Sequence, residues 1–190
     1  IDDDGDMDIY VANDKDMNLL FINNGKGRFK ESALMRGTGY NGNGLAEAGM
    51  GVDVGDIDRN GWLDIFVTNY SGETNTLYLN QGNGLFADET DIRGLGRPSV
   101  HSLAFGAKFI DLDLDSWLDL YVANGHVIDN IDLFNDQYHH RQIDQVYMNI
   151  SGTYIDKSSS VGIDFSRTFV SRGVAQADID NDGDIDLIVS

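Results

Sequence analysis

The apolar residues of this chain fall into short runs separated by glycine, asparagine and aspartate, and many of them are β-branched or aromatic. The segments NLLFINNGKGRF from Asn18, TLYLNQGNGLF from Thr76 and QVYMNISGTY from Gln145 each read as a strand, a glycine-bearing turn and a second strand. Apolar residues at helical spacing are not sustained over any long segment. The pattern therefore predicts an all-β protein.

A second element repeats between these hairpins. The strings DIDRNGWLDIFVTN, DLDLDSWLDLYVAN and DIDNDGDIDLIVS share one aspartate-rich pattern, and IDDDGDMDIYVAN at the start is the same unit without its first acid. The last aspartates of the four units are separated by 56, 55 and 67 residues, and they are Asp8, Asp64, Asp119 and Asp186. One strand precedes each loop, one follows it, and the hairpin supplies two more. Four antiparallel strands in a repeat of this length are typical of a β-propeller blade.

By this count the chain is one partial β-propeller domain over residues 1–190, with about three to four blades. The predicted units are a blade part at 1–33, blades at 47–90 and 103–158, and a blade part at 171–190. A closed propeller has about four to eight blades. Because the first and last residues both fall inside a repeat, we expect further blades on both sides.

The shared loop pattern is D-x-D-x-[DN]-G-x-x-D, numbered here as positions 1 to 9 of loops 1 to 4 in chain order. Positions 1, 3 and 5 place three oxygen side chains around one point, the glycine at position 6 permits the turn, and the acid at position 9 closes the cage. The predicted metal ligands are Asp2, Asp4 and Asp8 in loop 1; Asp56, Asp58, Asn60 and Asp64 in loop 2; Asp111, Asp113, Asp115 and Asp119 in loop 3; and Asp178, Asp180, Asp182 and Asp186 in loop 4.

Such an oxygen-only shell suits calcium better than the smaller, octahedral magnesium, and the lack of nearby cysteine or histidine disfavours zinc. We therefore predict one Ca²⁺ in each loop, up to four. Acidic surface turns are the alternative, since Asp, Asn and Gly are common in turns. However, several carboxylates in one short loop repel each other strongly without a cation. Ser116 replaces the position-6 glycine of loop 3, which predicts a strained and weaker site.

The overall charge is strongly negative, with 13 Lys and Arg against 32 Asp and Glu, a net charge of −19. This balance excludes nucleic acid and anionic lipid as favoured partners. The absence of cysteine excludes disulfides and thiolate metal sites. No apolar run has the roughly 18 residues that would predict a membrane span.

The stretch from Gly44 to Asn149 resembles a known family. GLAEAGMGVDVGDIDRNGWLDIFVTN, AFGAKFIDLDLDSWLDLYVANGHV and QVYMN are similar to FG-GAP/VCBS repeats, the blades of integrin-α-type propellers, and within these to the ASPIC/UnbV and cartilage-acidic-protein group. The resemblance implies a seven-bladed propeller, often secreted or surface-exposed, that is followed by an ASPIC/UnbV module.

Histidine and tryptophan side chains offer other candidate chemistry. His139 and His140 lie in the insertion VIDNIDLFNDQYHHRQIDQ, where a catalytic or transition-metal pair is possible but two solvated side chains are favoured. His126 is expected to hydrogen-bond within a turn. Trp62 and Trp117 occupy position 7 of loops 2 and 3, where packing against the neighbouring blade is favoured over stacking on a sugar.

Asparagine recurs five residues after the last loop aspartate, at Asn13, Asn69 and Asn124, which predicts a structural turn. Asn69 and Asn149 also begin sequences that match the N-glycosylation sequon, a weak signal.

No nucleophile-elbow, P-loop or dinucleotide-binding motif is present in the sequence. We therefore favour a non-catalytic interaction or adhesion scaffold that contacts protein or glycan at the propeller face or at the insertion 125–145. One alternative is the propeller portion of a calcium-dependent polysaccharide-active enzyme, with a cluster formed by Tyr138, His139, His140 and Arg141. A structural subunit of a surface assembly is a further alternative.

The expected location follows from calcium availability. Extracellular calcium modules typically bind with dissociation constants of about 10⁻⁴–10⁻³ M, so cytosolic calcium would leave such sites largely empty. We expect an exported protein, located outside the cell, on its surface or in the periplasm, with its signal peptide in sequence that precedes this chain.

Overall fold

The structure is a computed structural model that describes residues 1–82 and 84–190. Within these residues the strands are β1 (Ile9–Val11), β2 (Leu19–Asn23), β3 (Phe29–Glu31), β4 (Val52–Gly55), β5 (Asp64–Val67), β6 (Thr76–Asn80), β7 (Phe86–Asp88), β8 (Ala104–Ile110), β9 (Asp119–Asn124), β10 (Gln145–Ile150), β11 (Thr153–Asp156), β12 (Val174–Ala177) and β13 (Asp186–Val189). The helical segments are α1 (Ala33–Arg36), α2 (Gly96–Ser99) and 3₁₀ turns at Ile131–Leu133 and Ile163–Ser166.

The strands form antiparallel sheets in which each strand pairs with its neighbour in sequence. Sheet 1 contains β1–β3, sheet 2 contains β4–β7, sheet 3 contains β8–β11 and sheet 4 contains β12–β13. Strand β8 contacts both β4 and β12, so the first strands of successive sheets lie side by side. The predicted all-β class and partial propeller are confirmed. The outer limits of the individual blades stay a prediction.

The second strand of sheet 2 and that of sheet 3 are buried on both faces. In β5 the side chains of Ile65 and Val67 join a cluster with Leu20 of sheet 1, whereas Phe66 joins a cluster with Phe109 of sheet 3. Alternate residues of a strand point to opposite faces, so one strand packs against both neighbouring sheets. The rings of Phe66 and Phe109 meet edge to face with centroids 6.0 Å apart. This arrangement explains why DIFV and DLYVAN are almost continuously apolar.

The recurring asparagines close the turn between the second and third strands of a blade, which in sheet 1 are β1 and β2, as predicted. The Nδ2 atoms of Asn13, Asn69 and Asn124 each donate to a backbone carbonyl just before the third strand, at 2.7, 2.8 and 2.9 Å. In the insertion, the buried His126 accepts a hydrogen bond at Nδ1 from the backbone N–H of Ile128, at 3.0 Å. This contact confirms the turn role expected for His126.

Candidate metal centres

The aspartate-rich loops occupy the same place in successive sheets. Loop 2 connects β4 to β5, loop 3 connects β8 to β9, and loop 4 connects β12 to β13, while loop 1 leads into β1. The predicted ligands are therefore delivered by equivalent connections between the first and second strands.

The position-1 carboxylate folds loops 2, 3 and 4 around itself. In loop 2, Asp56 accepts hydrogen bonds from the backbone N–H groups of Asn60, at 3.0 Å, and Gly61, at 2.9 Å. Asp111 and Asp178 accept from the equivalent two residues of loops 3 and 4, at 2.8–3.2 Å. These bonds curl the backbone so that alternate side chains can point to a common centre.

The position-9 carboxylate ties each loop to the sheet. Asp64 is fully buried and accepts from the N–H groups of Ile57, at 3.0 Å, and Asn80, at 2.8 Å. Burial raises the pKa of Asp64 to about 7, against the lowering effect of these two hydrogen bonds and with a further rise from Asp58 and Asp56. A nearby cation would oppose this rise and keep the carboxylate charged.

The same tie recurs in the other loops. Asp119 accepts from the N–H groups of Leu112 and Asn149, and burial raises its pKa as well. Asp8 accepts from Asn23 at 2.8 Å, and Asp186 accepts from Ile179 at 2.9 Å. Position 9 therefore has a structural task in addition to its predicted metal contact.

Left-handed backbone recurs at two positions of every loop. Position 4 has φ between +60° and +61°, and its residues are Asp3, Arg59, Leu114 and Asn181. Position 6 has φ of +88°, +90°, +69° and +99°, and its residues are Gly5, Gly61, Ser116 and Gly183. Ser116 therefore adopts a conformation that favours glycine, as the prediction of a strained third loop requires.

Position 3 carries unpartnered oxygen atoms. Oδ1 of Asp58 in loop 2 and Oδ1 of Asp2 in loop 1 are buried and have no hydrogen-bond partner among the described residues. Their second oxygens face arginines: Asp58 Oδ2 lies 3.5 Å from Arg93 Nη2, and Asp2 Oδ2 lies 2.8 Å from Arg36 Nη2. A buried carboxylate oxygen without a donor needs a cation or a water.

Carboxylates gather in three of the loops. Within residues 1–82 and 84–190, groups whose ligand atoms lie within 4.8 Å of one another are formed by Asp56, Asp58 and Asp64; by Asp111, Asp113 and Asp115; and by Asp178, Asp180 and Asp186. Loop 1 forms no such group of three, and Asp119 and Asp182 lie outside the groups of their loops. The three clusters could bind a metal, and their all-oxygen donors fit calcium.

The tryptophans of loops 2 and 3 have different surroundings. Trp117 lies under the guanidinium of Arg59 from the preceding loop, 4.5 Å from the ring centroid, so its contact crosses between blades as predicted. Trp62 lies over Gly82 of its own sheet, 3.7 Å from where a Cβ would stand. Arg59 also donates to the backbone carbonyls of Asp115 and Ser116, both at 3.1 Å. Neighbouring loops are therefore linked directly.

The polar residues of the insertion form a separate region. Nδ1 of His139 lies 3.3 Å from Asp132, and Arg141 donates to the carbonyl of Thr168 at 2.7 Å. His139 and Arg141 line an open groove with Gln145. Across the described ranges, no group of three metal-ligating side chains includes a histidine.

Sequence reasoning missed the two arginines that face position 3. Their only signal is an arginine–glycine pair that follows the outer strand twice, as Arg36-Gly37 in ESALMRG and Arg93-Gly94 in ETDIRG.

Comparison with known proteins places these loops in a family. The model of the FG-GAP-like repeat matches residues 1–67 and 56–122, which contain loops 1 to 3. The chain belongs to the FG-GAP-like repeat family. Loop 4 lies outside the match, yet it has the same internal hydrogen bonds as the matched FG-GAP-like loops.

The chain is also similar to cartilage acidic protein 1 of Mus musculus, with 38% identity over 77 residues. The match covers 40% of this chain and only 12% of that protein. Together with the FG-GAP-like match, it confirms the resemblance that the loops and hairpins indicate. In the described part of the chain no helix is both long and apolar enough to cross a membrane.

Proposed function

We propose that this FG-GAP-like protein binds calcium in its aspartate-rich loops and acts as a non-catalytic interaction scaffold outside the cytoplasm. The observation that carries the proposal is the buried, unpartnered Oδ1 of Asp58, within a group of carboxylates whose ligand atoms lie within 4.8 Å of one another. A divalent cation would supply the missing partner of this oxygen and neutralise the group.

Calcium is the cation that the donor set favours. Every proposed ligand is an oxygen, and the flexible loop can supply the six to eight ligands that calcium takes. Magnesium demands a smaller, octahedral shell and loses its waters reluctantly. When bound, calcium would hold positions 1, 3, 5 and 9 together, because the carboxylates would otherwise repel each other.

The full ligand set extends the clusters by analogy between loops. We assign to calcium the residues Asp2, Asp4 and Asp8; Asp56, Asp58, Asn60 and Asp64; Asp111, Asp113, Asp115 and Asp119; and Asp178, Asp180, Asp182 and Asp186. This gives one ion in each loop and up to four in the chain. Loop 2 is the best-formed site, since it combines a buried Asp64 with the orphaned Asp58.

The scaffold role rests on what the propeller exposes. The insertion presents Leu133 and Phe134, which are 82% and 75% exposed, and it is the longest departure from the repeat. Exposed apolar residues in a long loop are a common basis for partner contact. We assign protein or glycan contact to this insertion or to the adjoining propeller face. The matched relative is named for cartilage, a matrix tissue, which supports a location outside the cell.

Calorimetric titration of the chelator-treated protein tests calcium binding. We expect saturable calcium binding with dissociation constants of about 10⁻⁴–10⁻³ M and much weaker magnesium binding. Asp58→Asn should lose one site, while Asp136→Asn, an exposed acid of the insertion, should lose none. Absence of saturable calcium binding would overturn the proposal. Release of new reducing ends from a panel of polysaccharides would overturn its non-catalytic part.

A further inference from the structure

Two arginines occupy the same place in successive repeats. Arg36 lies in α1, after the outer strand of sheet 1, and Arg93 lies after the outer strand of sheet 2. Both side chains are largely buried, with 20% and 19% exposed. Each is followed by a glycine with left-handed backbone, Gly37 at φ +84° and Gly94 at φ +85°. The buried arginine and the left-handed glycine that follows it therefore recur together in both repeats.

Each arginine joins three parts of the propeller. Arg93 follows sheet 2, its Nη2 faces Asp58 of loop 2 at 3.5 Å, and its Nη1 donates to the carbonyl of Gly152 in the hairpin of sheet 3, at 2.8 Å. Arg36 likewise faces Asp2 at 2.8 Å and donates to the carbonyl of Gly84 in the hairpin of sheet 2, at 3.0 Å. The guanidinium fork therefore links a loop of one blade to the hairpin of the next.

The backbone at these arginines is docked on the next blade as well. A Cβ on Gly94 would lie 2.5 Å from the carbonyl oxygen of Tyr154 in β11, and a Cβ on Gly37 would lie 2.5 Å from that of Phe86 in β7. The N–H of Tyr154 donates to the carbonyl of Arg93 at 2.8 Å. Only glycine allows this approach, so the arginine's position is fixed by the interface between blades.

The segment after sheet 3 has no equivalent arginine. The segment after its outer strand reads DKSSSVG, with Val161-Gly162 where the two preceding segments have Arg-Gly. Among the described residues, Asp113 at position 3 of loop 3 has no ion pair with an arginine. Loop 3 is therefore a natural comparison for loop 2.

We propose that Arg93 and Arg36 are positioning residues, which hold the position-3 carboxylate for its cation and couple the occupancy of a loop to the docking of the next blade. The proposal rests on the calcium function proposed above. Oδ2 of Asp58 is held by Arg93, which leaves Oδ1 free for the metal. Outer partners of this kind fix ligand orientation. By linkage, a cation on Asp58 would in turn stabilise the contact between Arg93 and Gly152.

The positive charge of the arginine, taken alone, would weaken metal binding, whereas its positioning role would strengthen it. A guanidinium beside the loop repels a cation, so if electrostatics dominated, its removal would tighten metal binding. If positioning dominates, removal weakens binding, and lysine fails to replace arginine because it lacks the planar fork that reaches two acceptors. Arg93→Lys therefore separates the two effects, since it keeps the charge and loses the geometry.

The two tryptophans allow metal binding to loop 2 and to loop 3 to be measured separately. Trp62 and Trp117 are the only tryptophans of the chain, and they lie at position 7 of loops 2 and 3. Terbium, a luminescent substitute for calcium, emits when excited through a tryptophan close to its site. In a Trp117→Phe background the emission reports loop 2, and in a Trp62→Phe background it reports loop 3.

The experiment measures terbium affinity, and its displacement by calcium, in both backgrounds. We expect Arg93→Gln and Arg93→Lys each to weaken loop 2 by about tenfold or more and to leave loop 3 within about twofold. Glu89→Gln, which removes the charge of the residue that pairs with Arg93 Nε, is the matched control and should weaken loop 2 less. An unchanged loop 2 affinity, or a tighter one, would overturn the positioning role.

Two further outcomes separate failure of this proposal from failure of the calcium function. Absence of terbium and calcium binding at loop 2 of the unsubstituted protein would overturn both. Equal weakening of loops 2 and 3 by Arg93→Lys would show a general loss of structure and would overturn the specific coupling.

Discussion

Loops 2 and 3 share a backbone framework but differ in the side chains that surround the metal position. In both, the position-1 aspartate accepts two N–H groups of its own loop, and the position-9 aspartate accepts one N–H from the loop and one from the third strand. Asp64 and Asp119 are both buried, with 0% and 1% exposed. The two loops therefore share the same hydrogen-bonded backbone framework, although the side chains around their metal positions differ.

The differences lie at positions 3 to 6, where position 5 is Asn60 in loop 2 but Asp115 in loop 3. Loop 2 has Asp58 held by Arg93 and a glycine at position 6, whereas loop 3 has the exposed Asp113 and Ser116. Position 4 has φ +60° in both loops, and it is Arg59 in loop 2 but Leu114 in loop 3. Hydrogen bonds accepted by the aspartates at positions 1 and 9 therefore suffice to shape the turn. Strain and ligand orientation are then set independently at the other positions.

Removal of calcium should have the largest effect. A ligand present at a hundred times its dissociation constant contributes about 2.7 kcal/mol of stability per site, so emptying several loops should lower the melting temperature strongly. Differential scanning calorimetry with and without chelator, at matched ionic strength, measures this change. An unchanged melting curve after verified metal removal would contradict it.

Hydrogen exchange in the same chelated sample tests whether loops 2 and 3 differ in their stability without metal. Without metal, loop 2 keeps the guanidinium of Arg93 beside its position-3 carboxylate. The guanidinium next to loop 3, that of Arg59, bonds to the backbone carbonyls of Asp115 and Ser116 instead of to a carboxylate. We expect the amide of Ser116, which donates to Asp111, to lose more protection than the amide of Gly61, which donates to Asp56. Equal loss at both amides would mean that the arginine has no effect on the metal-free loop.

Asp64→Ala should have the next largest effect on the free energy of unfolding. The substitution leaves the buried N–H groups of Ile57 and Asn80 without acceptors and removes a metal ligand, so we expect a loss of about 3 kcal/mol. Asp119→Ala should cost a similar amount, because its carboxylate accepts the equivalent two N–H groups, those of Leu112 and Asn149. Asp136→Ala on the exposed insertion serves as the control, with a change within about 0.5 kcal/mol. Urea denaturation in calcium measures all three, and a near-neutral Asp64→Ala would refute the structural role of position 9.

Sequence alone reached those parts of the fold that depend on neighbours in the chain. The spacing of alternate aspartates, the hairpin turns and the short runs of β-branched and aromatic residues predicted the sheets and the loops, because each pattern reflects a local conformation. The arginines were missed because their partners lie far away in the chain: Arg93 is 35 residues from Asp58 and 59 residues from Gly152. The same holds for Asn149, whose side chain donates to the carbonyl of Ile57, 92 residues away. Contacts between blades leave only a weak mark on a single sequence.

Substitutions at position 6 should change the free energy of unfolding less than loss of the position-9 aspartate does. Ser116 at φ +69° has a strained backbone, so Ser116→Gly should stabilise loop 3 by about 1 kcal/mol, after the entropic cost of glycine is included. Gly61→Ser should destabilise loop 2 by a similar amount. A Cβ on Gly61 would meet no atom within 4 Å, so the loss would be conformational. Changes of the same sign in both variants would show that the left-handed backbone is not the cause.

Leu114→Asn should give the smallest effect, a gain of about 0.5 kcal/mol, because asparagine tolerates left-handed backbone better than leucine. Loop 4 already has Asn181 at this position, with the same φ of +60°. The side chain of Leu114 is 64% exposed, so little apolar burial is lost with it. Leu63→Asn, at an exposed loop 2 position without positive φ, controls for the change in polarity and should be neutral or slightly destabilising. The shift in urea midpoint measures both. If Leu114→Asn were destabilising, the leucine would contribute packing that outweighs its strain, and the weakness expected of loop 3 would then rest on Ser116 and the missing arginine alone.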